Sequence, residues 1–353
     1  MFFSNKEELI IRRPDDWHIH LRENDLLKAV LPFTSSIFSR ALVMPNIKNP
    51  IMNIHSAINY RNRIKKYLPK REDKKKIFEP LMTCYITENL ELKQLVNGFK
   101  QGIFIAAKLY MANTTNNSSY GIKNIKKIMS ILENMQKIGM PLSIHGEIND
   151  QTVDIYDREL IFIERILEPI QNKFPELKIV LEHISTKEAA EYVLKGNRYI
   201  AATITPQHLM FNRNHMLVNN INPHLYCLPI LKKAIHQKFL RQVISSGCDR
   251  FFIGTDSAPH ICEKKERYGY PGIFNAPVAI PAYVTVFEEM QALHYLEAFC
   301  SENGARFYGF PLNEEYIKII RKSCKVDTSI KVNDNEVIVP FLAGKTLPWS
   351  IQL

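Results

Sequence analysis

Eight short β-branched or apolar runs, separated by longer stretches of helical periodicity, recur along this chain, and that alternation restricts the fold more than any other feature. The runs span 10–20 (interrupted at Pro14), 41–45, 80–86, 102–109, 141–145, 178–183, 199–205 and 250–256. Helical stretches lie at 54–67, 89–99, 122–138, 157–173, 187–194 and 231–246, with 279–299 after the last strand. Within 122–138 the residues Ile122, Ile125, Ile128, Met129, Leu132 and Met135 fall three and four apart, the spacing of an amphipathic helix packed on a core. Eight strands alternating with helices predict an α/β fold, a closed parallel (β/α)8 TIM barrel. The region after 299, with Gly304, Gly309, Pro311 and the run 331–339, reads as a C-terminal extension packed on the barrel. No repeat or Pro/Gly linker divides the 353 residues, so 1–353 reads as one domain.

Composition removes several function classes. Apolar residues make up 46% and charged ones 23%, which supports a large core and excludes global disorder. The net charge of +10 permits weak attraction to polyanions. Its lysines, however, read as solvated surface: Lys65 and Lys66, the charged stretch 70–76, and Lys264 and Lys265 in a loop. They are not interleaved with aromatics as a nucleic-acid groove requires, so no nucleic-acid partner is expected. The segment 68–74 reads as a charge-dense loop. Six scattered cysteines without a Cys-x-x-Cys pair argue for a reducing compartment and against a disulfide framework. Charge enters at Lys6, too early for a signal peptide, and no apolar run approaches membrane-spanning length. The expectation is a soluble, cytoplasmic protein with no membrane partner.

In a parallel barrel the chemistry sits where strands end and loops begin. The strand ends here carry His18 and His20, Lys108, His145, His183 and Asp256. His18 and His20, two apart in a strand, share a face. Five of the six are ordinary metal ligands, whereas a protonated lysine has no lone pair and repels a cation. Near two divalent ions the charged form of Lys108 is disfavoured, and its neutral amine can add carbon dioxide to give a carboxylate-like bridge. Two metals about 3.5 to 4 Å apart lower the pKa of a shared water and polarise a carbonyl at once, which makes amide hydrolysis feasible near neutral pH. Asp256, bound to one metal and close to the hydroxide, is placed to collect its proton and pass it to a leaving nitrogen. Arg22 suits a two-pronged contact with a substrate carboxylate, and Asn46 and His260 lie just past strand ends where they can share it. The polar segment 111–121 suits a lid over the site. Each residue taken singly has a plainer reading, as a core histidine, a turn-capping acid or a lysine paired with an acid. Their recurrence at successive strand ends is what argues for a site.

With these residues in view the chain resembles the compact bacterial-type dihydroorotases of the amidohydrolase superfamily. The resemblance runs through Arg12 to Arg22, through Ala106-Ala107-Lys108-Leu109-Tyr110, through Thr205-Pro206-Gln207-His208-Leu209-Met210 and through Gly254-Thr255-Asp256-Ser257-Ala258-Pro259-His260. It implies two Zn2+ per chain, with His18, His20 and Asp256 on one, His145 and His183 on the other, and carbamylated Lys108 between them. It also implies Arg22, Asn46 and His260 around the substrate carboxylate, backbone contacts near Leu228, and a homodimer. The implied reaction is the reversible cyclisation of N-carbamoyl-L-aspartate to L-dihydroorotate in pyrimidine synthesis. Two positions depart from the family pattern. Of the lid's adjacent threonines only Thr115 matches, Asn116 standing at the second, and Pro271 replaces a small residue whose backbone approaches the substrate. Proline has no N–H to donate, so the 262–272 loop is expected to bind differently. A hydantoinase or dihydropyrimidinase shares the metals without needing Arg22, Asn46 and His260 together. A non-catalytic scaffold barrel tends to lose ligands, and none is missing here.

Overall fold

The structure, a computed structural model, describes residues 7–69 and 78–352; the charged stretch 70–76 and most of the loop expected at 68–74 lie outside them. Strand β1 (Glu8–Arg12) comes first, followed by β2 (Asp16–Ile19), β3 (Arg40–Val43), β4 (Glu79–Tyr85), β5 (Phe104–Leu109), β6 (Leu142–His145), β7 (Ile179–Glu182), β8 (Ile200–Ile204) and β9 (Phe251–Ile253). Strands β2 to β9 stand side by side in chain order, every pair parallel, as expected of a barrel. Closure is made just beyond β9: the Asp256 N–H donates to the His18 carbonyl (2.9 Å) and the His20 N–H to the Ser257 carbonyl (3.0 Å). The barrel seam therefore joins two of the segments that carry candidate ligands.

The run 10–20 is two strands rather than one interrupted strand. β1 leaves the barrel and pairs antiparallel with β10 (Tyr316–Ile320), which in turn pairs with Ser350–Gln352. The redirection is built into residues 13 to 15. Pro14 has no N–H for a ladder. The buried Arg13 guanidinium is held by the carbonyls of Ser35, Ile37 and Phe38. Asp15 pairs with Arg40 at 2.6 Å and accepts from Asn313 at 2.9 Å. The extension packed on the barrel is thus shared between both ends of the chain.

Several helix limits also move. Ile122 pairs with the backbone around Met111, closing the lid segment, so the helix expected at 122–138 opens with a 3-10 turn, Ile125–Ile128, and continues as Met129–Ile138. The stretch 231–246 is helical over Ala234–Ile244, and 279–299 breaks after Glu289, where Gln291 takes a positive φ of 58°. A further helix, Asn24–Ser35, has no counterpart in the sequence reading; Pro32 lies inside it and masks its periodicity, while Leu27, Val30 and Leu31 are buried. The far end of the barrel is plugged by the helix Asn303–Tyr308, whose Tyr308 ring stacks on Trp17 at 4.5 Å between centroids. Gly304 lies against that indole so closely that a Cβ there would overlap it. No helix among the described residues is long and apolar enough to cross a membrane.

Candidate active site

At the C-terminal ends of the strands the dispersed ligand candidates come to one focus. His18 lies in β2 and His20 one residue past it, their Nε2 atoms 3.3 Å apart. Asp256 Oδ1 stands 3.3 Å from His18 Nε2 and 3.1 Å from His20 Nε2. His145 ends β6 and His183 follows β7, with His145 Nδ1 and His183 Nε2 3.3 Å apart. The His18 and His183 rings, 4.9 Å apart, join the two groups. His183 and Asp256 have positive φ, 43° and 46°, because each chain turns sharply out of its strand as it delivers the side chain. Lys108, in β5, lies beneath the focus and is fully buried.

Burial sets the charge states. It pulls His18 and His183 down and lowers His20 to about 3, so these imidazoles are neutral, the form that binds metals. It also pulls the Lys108 ammonium well below its ordinary value, towards the neutral amine whose lone pair can add to carbon dioxide. Burial pushes the Asp256 carboxyl up, but the hydrogen bonds it accepts from His18 and His20 outweigh it and hold the group well below its usual range. Neutral ring nitrogens facing one another and a carboxylate at little over 3 Å repel unless a shared proton or a cation lies between them. This donor set, five imidazoles or carboxylates on one focus, fits a metal cofactor.

Two carboxylates that the sequence reading did not single out complete the focus. Glu182, fully buried at the end of β7, is in ion-pair contact with Lys108, and its other oxygen is 3.1 Å from His18 Nδ1. Glu147 Oε2 lies 2.8 Å from His145 Nε2, which leaves Nδ1 of that ring to face His183. Each had a local signal: Glu182 interrupts an apolar strand directly before His183, and Glu147 follows His145 by two. A carboxylate on the outer nitrogen of a ligating histidine fixes its tautomer and rotation. Glu147→Leu is therefore expected to weaken binding of one cation about 10- to 100-fold. Competition with a chromophoric chelator measures this, and two unchanged affinities would remove the assigned role.

Above the focus lies a small cavity, lined among others by His20, Arg22, Asn46, Thr115, Leu228 and Asp256. Arg22 Nη2 donates to His260 Nε2 (3.0 Å) and Nε to the Pro259 carbonyl (3.0 Å); burial lowers its guanidinium to about 10, still protonated near neutrality. Asn46 donates to the Asn116 carbonyl (3.0 Å), while its own Oδ1 is buried without a partner. The lid is a compact turn seated on the mouth, with Thr115 N–H bonded to Ser118 Oγ (2.9 Å) and Asn113 N–H to the Ser118 carbonyl (3.1 Å). Its two family departures meet here. Asn116 Nδ2 donates to the Pro271 carbonyl (2.9 Å) and lies 3.1 Å from His260 Nε2. Pro271 lacks an N–H but contributes its carbonyl.

Lys265 corrects the surface reading of the basic residues. It belongs to the helix Cys262–Tyr268, is 3% exposed, and donates to the carbonyls of Tyr226 (2.8 Å) and Gly272 (2.7 Å). These two carbonyls draw the ammonium inward, and the bonds staple the Leu228 segment to the 271–272 segment, both of which line the cavity.

Comparison with known proteins bears on this geometry. A sequence profile of the amidohydrolase family matches residues 10–347. The dihydroorotase of Serratia proteamaculans (strain 568) is 58% identical over 350 residues, 99% of each chain. The crystal structure of dihydroorotase from Campylobacter jejuni superimposes with a TM-score of 0.89 at 31% identity, covering 100% of this chain and 99% of that one. An L-hydantoinase from Arthrobacter aurescens gives a TM-score of 0.80 at 14% identity, covering 98% and 83%, a likeness of fold alone.

Proposed function

The chain belongs to the amidohydrolase family and, within it, to the dihydroorotases, and from that premise we propose that it interconverts N-carbamoyl-L-aspartate and L-dihydroorotate in de novo pyrimidine biosynthesis on a two-zinc centre. The observation that supports the reading is that Arg22 and Asn46 line the cavity that opens onto the ligand focus, with His260 hydrogen-bonded to Arg22.

His18, His20 and Asp256 would hold one Zn2+ and His145 and His183 the other, with Lys108, as the carbamate formed from carbon dioxide, between them. When bound, such a pair of cations lowers the pKa of a water and polarises the amide carbonyl. The remaining steps fall to the chain's own groups. Arg22 grips the substrate carboxylate through its paired N–H donors, and Asn46 and His260 complete that grip. Leu228 and Thr115 line the cavity, where the Leu228 backbone and the Thr115 hydroxyl would meet the ring. Asn117 donates to the Asn46 carbonyl (2.9 Å), so the lid and the carboxylate pocket are set by the same residue. In ring opening Asp256 accepts the proton of the attacking water and delivers it to the leaving nitrogen; in ring closure it carries the proton back.

Purified protein supplied with Zn2+ and bicarbonate is expected to close carbamoyl aspartate and to open dihydroorotate. It is also expected to reject uncharged rings such as hydantoin, which offer Arg22 nothing to hold. Absence of turnover sinks the reading, and preference for the uncharged ring replaces it with a hydantoinase. The reading also carries a homodimer, which light scattering on the same preparation checks.

A further inference from the structure

His224, Cys262 and Glu266 form a cluster that the reaction does not use. One potential ligand atom from each lies within 4.8 Å of the other two, and His224 Nε2 is 3.0 Å from Glu266 Oε1. Cys262 and Glu266 are four apart in the helix Cys262–Tyr268 and so share one of its faces, and the thiol is hydrogen-bonded to the carboxylate. His224 reaches them from the 3-10 turn Pro223–Leu225, fixed by Asn222, whose Oδ1 accepts from the His224 N–H at 3.0 Å. Nitrogen, sulfur and oxygen donors of these kinds make up zinc sites. A tetrahedral cation with bonds of about 2.0–2.3 Å wants its ligand atoms roughly 3.3–3.8 Å apart. Glu266, 56% exposed, is free to make the small adjustment this requires.

We propose that His224, Cys262 and Glu266 constitute a further metal site, separate from the catalytic pair, that takes one divalent cation of borderline softness such as Zn2+. The thiolate selects against Mg2+ and Ca2+, and three protein ligands leave a fourth position for water. The two elements it joins lead directly into the cavity wall. The turn runs on to Tyr226 and Leu228, and the Tyr226 carbonyl accepts both Lys265 Nζ and the Gly272 N–H (2.9 Å); the helix begins two residues after His260. A cation here ties together the same two segments that Lys265 staples from inside. Burial and the adjacent Glu266 push the Cys262 thiol up to about 11, so the metal-free protein carries a proton that binding must release, and affinity rises with pH.

The catalytic ligand set contains no sulfur, which makes the two sites separable by spectroscopy. Co2+ added to enzyme whose catalytic centre is already filled is expected to produce a thiolate-to-metal charge-transfer band that saturates at one further equivalent, with loss of Cys262 alkylation by iodoacetamide. Cys262→Ser is expected to abolish the band while turnover stays within about twofold of wild type, and His224→Ala to weaken binding about tenfold or more. No band at a large excess of Co2+, or a band that survives Cys262→Ser, overturns the proposal. Failure of dihydroorotate turnover in wild-type enzyme tests the functional reading above and leaves this cobalt measurement intact.

Discussion

Lys108→Ala is expected to lower kcat/KM for dihydroorotate opening by roughly a thousandfold or more, about 4 kcal/mol of transition-state stabilisation. Lys108 is fully buried beneath the ligand focus, in direct contact with the Glu182 carboxyl group. An ammonium there repels cations, whereas the neutral amine favoured by burial can be carbamylated and bridge them. Alanine would remove the proposed bridge and leave Glu182 facing His18 alone. If the bridging carboxylate is what the lysine supplies, a small carboxylic acid such as acetate or propionate should enter the vacated space and restore part of the rate. A plain loss of folding shows no such rescue, and circular dichroism of the variant separates the two. Wild-type rates in Lys108→Ala would remove the lysine from the mechanism.

Asp256→Asn is expected to reduce kcat by roughly a hundredfold to ten-thousandfold, the usual contribution of a positioned acid–base group. The amide keeps the shape of the side chain but can neither accept the proton nor match the carboxylate as a ligand. Ring opening needs the carboxyl unprotonated, so the wild-type rate falls as pH drops through its pKa, and that acid limb should vanish in the variant. Zinc content should fall as well, because His18 and His20 keep only each other on that side of the focus. An unchanged pH profile with full activity would transfer proton movement to another group.

How far the sequence reaches is clearest at particular residues. The alternation of apolar runs with helical stretches specified the barrel because strand and helix periods are local properties of the chain. For the same reason His18, His20, Lys108, His145, His183 and Asp256 could be named as one set, since a parallel barrel sends every strand end to one face. Local pattern failed where the chain's path changed without a change in composition. The single run 10–20 conceals a departure from the barrel at Pro14, and Pro32 hides the helix Asn24–Ser35.

Partnerships across the barrel were decided only by the tertiary structure. Glu182 meets Lys108 and His18, Asn116 meets Pro271, and Cys262 and Glu266 meet His224, each across 38 residues or more or between separate loops. Lys265, charged and in a basic run, reads as surface until two carbonyls from different segments claim it. The types of group, and the face on which they gather, follow from local periodicity and burial. Their pairing follows from the routes of the connecting loops, which bring distant backbone together through packing that no local pattern encodes.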